Sequence, residues 1–105
     1  MDRKFVESLG WKYACLWNNR EFFQFHGLQI MEHNGNWSIT RGENNYFIED
    51  VGEEMLTEYT NLVKKFCEIY DDPENHTLAE YNKAGQAIKD FYNKYGYNEE
   101  EEFDL

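Results

Sequence analysis

The period of the hydrophobic pattern changes once along the chain, near residue 50. Upstream, apolar positions tend to alternate with polar ones; downstream they recur every three or four residues. A short segment precedes the alternation. Asp2 to Leu9 predicts a helix, with Asp2 as N-cap, Phe5, Val6 and Leu9 on one face, and Gly10 just past its end. Residues 11–49 then read as strands. Trp11 to Trp17 is short and aromatic, and Asn18-Asn19 is a turn pair that tolerates positive φ. Glu21 to Phe25 follows, with Phe23 and Phe25 on one face, and Gly27 predicts a bend or bulge. The strongest local signal is Asn34-Gly35 between Leu28–His33 and Asn36–Arg41, a hairpin signature that points Leu28, Ile30, Trp37 and Ile39 to the core. Gly42 to Asn45 predicts a further turn, and Tyr46 to Glu49 a short last strand.

The remainder reads as helix. Leu56, Tyr59, Leu62, Val63, Phe66, Ile69 and Tyr70 form one stripe over 52–70, with Glu54, Glu58, Asn61, Lys65 and Glu68 opposite. Glu53 and Glu54 fall in the first turn, where the helix dipole favours them. Asp72-Pro73 predicts the stop. A second helix has two candidate starts, Asp72 capping with Pro73 at the first position, or the capping box of Thr77 and Glu80. Its stripe is Leu78, Tyr81, Ala84, Ile88, Phe91, Tyr92 and Tyr95, with Gly96 after the end and Gly85 marking a close helix contact. The expected architecture is α+β. An antiparallel meander of three to five strands carries a short N-terminal helix and two C-terminal amphipathic helices packed on one side. A single domain over 1–97 and an acidic tail over 98–105 are expected. The tail is expected to be mobile when unbound, because Glu99, Glu100, Glu101 and Glu102 repel one another.

Composition sharpens this. Aromatic residues make up 18% of the 105, which argues for a packed core rather than disorder. The net charge is −11, and its distribution is uneven. Residues 1–42 carry five basic and four acidic side chains, whereas 43–105 carry five basic and seventeen acidic. Such a surface repels nucleic acid and anionic lipid and attracts basic partners. Cys15 and Cys67 have no metal or redox spacing and predict reduced, buried thiols. Neither a secretory leader nor a membrane span is expected, so the predicted compartment is the cytoplasm.

Catalytic signatures are lacking. Ser8 and Ser38 lie in no nucleophile elbow, and Cys15 would have to face His26 across a hairpin to act as a nucleophile. His26, His33 and His76 fit no metal spacing, and no phosphate-cradling glycine loop occurs. Asp71-Asp72-Pro73-Glu74 reads as a solvated loop rather than a calcium site. No cofactor is expected. The aromatics of the first half, near Lys12, Arg20 and Arg41, read mainly as core, and any left exposed would anchor a protein partner. The carboxylates are the sharper signal. Side chains four apart on a helix lie about 5–6 Å apart, comparable with the roughly 3.4 Å charge spacing of one DNA strand.

In length, charge, aromatic content and expected α+β plan, the chain resembles the small acidic inhibitors of phages and mobile elements. These are the DNA-mimic anti-restriction proteins and some anti-CRISPR proteins; no aligned motif carries the resemblance. It implies a non-catalytic protein that blocks the basic groove of a nucleic-acid-binding enzyme. The expected contact residues are Glu53, Glu54, Glu58, Asp71, Asp72, Glu74 and Glu99 to Glu102. The alternative is an interaction module, such as an immunity protein or small phage regulator, that binds through exposed aromatics.

Overall fold

Three two-residue turns organise the first half. Asn18-Asn19, His26-Gly27 and Asn34-Gly35 all have positive φ at both positions, which matches the twist of flanking antiparallel strands. A computed structural model describes residues 1–41 and 46–95. The turns join β1 (Lys12–Trp17), β2 (Arg20–Phe25), β3 (Leu28–His33) and β4 (Asn36–Arg41), with β5 (Tyr46–Ile48) completing an antiparallel sheet in chain order. Gly27 is therefore not a bulge. Histidine tolerates the left-handed region better than most residues, so His26-Gly27 makes a tight turn. The irregularity lies instead in β1, between Tyr13 and Cys15. The predicted turn over 42–45 lies outside the described residues.

The chain divides into two compact units, Met1–Thr57 and Glu58–Leu105. In the first, α1 (Arg3–Ser8) starts where the Asp2 carboxylate accepts from the Phe5 amide at 2.8 Å. It ends at Gly10, whose φ of 109° suits glycine. A Cβ there would also meet the Phe25 ring at 2.9 Å.

One row of side chains crosses the sheet: Tyr13, Phe23, Ile30, Ile39 and Ile48. All but Tyr13 are buried. On the same face α1 lies over β1 and β2. The Arg3 guanidinium sits 4.7 Å from the Tyr13 ring centre and 5.5 Å from that of Phe23. The Trp37 indole N–H donates to the Met1 carbonyl at 3.0 Å. This buried face supplies most of the unit's hydrophobic stabilisation. The opposite face pairs Phe22, Met31 and Ser38, and beside them Gln24, Gln29 and Thr40.

In the second unit the rest of α2 (Glu53–Asp71) is followed by a 3₁₀ turn (Pro73–Asn75) and α3 (Leu78–Lys94). Both candidate start signals are used, each for its own element. Asp72-Pro73 opens the 3₁₀ turn, and the Thr77–Glu80 capping box opens α3. Tyr59 of α2 is buried against Phe91 and Tyr92 of α3, and Val63 and Ala84 are buried as well. The Tyr59 and Phe91 rings stack at 5.0 Å. Phe66 lies 3.6 Å from where a Cβ on Gly85 would stand, the close approach that glycine predicts.

The Tyr59 and Tyr92 hydroxyls are 2.7 Å apart and buried. Tyr92→Phe keeps the rings and removes this bond, at an expected cost of about 1 kcal/mol. Urea unfolding followed by far-ultraviolet circular dichroism measures it; an unchanged midpoint would mean the bond contributes nothing.

Candidate protein-interaction site

Charge in the helical unit is segregated. Residues 66–82 carry five carboxylates (Glu68, Asp71, Asp72, Glu74 and Glu80) and no lysine or arginine. The unit's lysines, Lys64, Lys65, Lys83, Lys89 and Lys94, all lie outside that stretch. The connection between α2 and α3 is thus an acidic end. Its shape follows from local chemistry. Pro73 disfavours the α region at Asp72, which takes φ −135°. The Asn75 side-chain amide donates to both Asp72 oxygens at 3.0 and 2.9 Å. His76 Nδ1 donates to Glu80 at 2.8 Å, and the Glu80 amide donates to the Thr77 hydroxyl at 3.1 Å. The His76 bond, aided by the Thr77 amide, holds the Glu80 carboxyl below its ordinary pKa. Among the described residues, no lysine or arginine forms an ion pair with Asp71, Asp72 or Glu74.

The two stripes outrun their contact. Tyr70, Leu78 and Tyr81, expected in the core, are 64%, 74% and 36% exposed. Sequence periodicity identifies a face but not where its neighbour ends, and the second unit's described residues place no further element beyond the turn. A finer signal was present. Ile69 and Tyr70 are adjacent stripe positions at a helix end, and only Ile69 is buried. Phe66, Tyr70 and Tyr81 form an aromatic cluster, with Phe66 to Tyr81 at 5.1 Å and Tyr70 to Tyr81 at 6.5 Å. Tyr70 and Tyr81, with Ile69, Pro73, His76, Thr77 and Leu78, line a cavity of about 420 Å³.

The structure brings together only part of the expected contact set. Asp71, Asp72 and Glu74 are exposed at the acidic end, and Glu53 and Glu54 are exposed in the first turn of α2, within the other unit. Glu58 is half-buried and engaged internally. It accepts from the Tyr95 hydroxyl at 2.8 Å and pairs with Lys94 at 3.4 Å. Glu99 to Glu102, and Gly96 as the predicted helix stop, lie outside the described residues.

In the sheet unit, Trp11, Phe23 and Trp37 are buried and Phe22 and Phe25 half-buried, as a core reading requires. Leu16 and Trp17 at the end of β1 are more than 60% exposed. A second hollow of about 350 Å³ lies beside Lys12, Gln24, Phe25 and the His26-Gly27 turn. Cys15 pairs with Phe22, at the far end of β2 from His26, so the two do not meet.

The buried-thiol expectation is corrected as well. Cys15 is exposed, because all of edge strand β1 is, and Cys67 is half-buried. Burial first, and then Asp71, pushes the Cys67 thiol above its ordinary pKa. Cys15 is therefore expected to be alkylated by iodoacetamide several-fold faster than Cys67, since access and thiolate fraction set the rate. Mass spectrometry of a time course checks this, and equal rates would contradict the exposure difference.

No group of three or more metal-ligating side chains occurs among the described residues, and none of their helices is long and apolar enough to cross a membrane. No family model, curated protein or solved structure matches this chain, so the geometry of the acidic end is the ground for a functional reading.

Proposed function

We propose that the chain is a non-catalytic acidic inhibitor that binds the basic, nucleic-acid-binding surface of a partner enzyme. One observation carries this reading: five carboxylates without an intervening lysine or arginine gather on the connection between α2 and α3, with Asp71, Asp72 and Glu74 exposed and lacking basic partners among the described residues. A basic groove shaped for phosphates would be attracted to such an end, and long-range attraction would speed encounter. The exposed Tyr70, Leu78 and Tyr81 at the same end favour direct protein contact as well as charge.

The test is binding to a panel of nucleases, restriction enzymes and guide-loaded CRISPR effectors, with and without pre-bound DNA, over a salt series. Binding that is lost with DNA bound and weakens steeply with salt supports the proposal. Binding indifferent to both would move the function to the apolar contacts alone.

A further inference from the structure

We infer that the cavity at the acidic end is an anchor for an arginine side chain of the partner protein. This deepens the proposed function and rests on it. Three features converge, all within the second unit. Tyr70 and Tyr81 present rings 6.5 Å apart and inclined at 35°. Both line the cavity and both are exposed. Planar guanidinium groups stack on such faces, and their attraction to the ring quadrupole grows as water is excluded. Ile69, Pro73 and Leu78 add apolar wall, along which the three methylenes of an arginine can lie while its head stays polar. Asp72 and Glu74 flank Pro73 in the chain and are exposed; they do not line the cavity, and they make its surroundings negative, which attracts a cationic side chain.

Charge complementarity selects this occupant over others. A purely apolar anchor would use the walls but leave the carboxylates of the connection uncompensated. A lysine would meet the carboxylates, but its strongly hydrated ammonium stacks poorly on tyrosine. Nucleic acid and anionic lipid are repelled by the same carboxylates. Arginine is also among the residues that most often dominate protein interfaces.

Two-dimensional ¹⁵N–¹H NMR titrations of the full chain with three blocked peptides of equal length test this. The peptides alternate glycine with arginine, lysine or leucine. The arginine peptide is expected to shift the Tyr70, His76, Leu78 and Tyr81 amides and to bind about five- to tenfold more tightly than the lysine peptide. Tyr70→Ala should abolish that preference without weakening the lysine peptide, and Tyr70→Phe should retain it. Because Tyr70 is exposed, neither variant should unfold the protein.

Equal binding of the two basic peptides, unaffected by Tyr70→Ala, would overturn the arginine anchor and leave the acidic-end reading standing. Tightest binding by the leucine peptide would make the cavity an apolar docking site and overturn the anchor. No perturbation at this end by either basic peptide at low salt would sink the anchor and the acidic-end reading together.

Discussion

Replacing Phe23 with alanine is expected to lower the stability of the sheet unit by about 3–5 kcal/mol. Phe23 is completely buried in the row that crosses the sheet, between Tyr13 and Ile30. Its ring lies 5.4 Å from Trp37, stands edge-on to Tyr13 at 5.6 Å, and has the Arg3 guanidinium 5.5 Å away. Removing it deletes the hydrophobic transfer term, leaves a cavity in close-packed surroundings, and takes away the floor on which α1 rests. Small domains hold only about 5–15 kcal/mol in total, so the loss would consume much of the margin. All three tryptophans lie within residues 1–57, so tryptophan fluorescence in a urea titration reports on this unit. Phe22→Ala, on the opposite face and half-buried, is expected to cost clearly less. A Phe23→Ala loss below about 1 kcal/mol would contradict this core.

Neutralising the acidic end is expected to have the largest effect on binding. The variant Glu68→Gln, Asp71→Asn, Glu74→Gln removes three charges and spares Asp72 and Glu80, whose hydrogen bonds shape the connection. Exposed charge pairs contribute about 0.2–1 kcal/mol each. Loss of three therefore predicts roughly a 3- to 150-fold weaker affinity for a basic partner at low salt, mostly through slower association. The difference should shrink as added salt brings the screening length towards about 10 Å and below. Association kinetics at two ionic strengths, using an enzyme identified by the binding panel, give the comparison. Glu58→Gln, compared with Glu74→Gln alone, is the one-charge control, because Glu58 is engaged with Tyr95 and Lys94 away from this end. An equal loss from the control would mean that overall charge, not the acidic connection, sets the affinity.

The same chemistry explains why some elements were readable before the structure and others were not. Asn34-Gly35 announces its hairpin because few residues accept positive φ at two successive positions. Thr77 and Glu80 announce their helix start because the motif satisfies free amides within four residues. His26-Gly27 was legible only as a bend or bulge, because histidine is a less usual first turn residue than asparagine and glycine alone equally signals a bulge. The carboxylates of the acidic end were visible in the chain, but the cavity beside them was not. Tyr70, Leu78 and Tyr81 have the spacing of core residues, and only the structure shows them exposed.

Backbone conformation, capping and the period of each element arise from contacts within a few residues, so the α+β class, the strand meander, both long helices and the uneven charge were written into the chain. Burial arises from contacts between positions far apart in sequence. Only the tertiary structure therefore decided that the helical stripes end in an exposed aromatic cluster, that Glu58 is occupied by Tyr95 and Lys94, and that Cys15 faces solvent on an edge strand. The candidate site lies where those two kinds of information meet, an acidic connection legible from composition and an anchor cavity that exists only once α2 and α3 have packed.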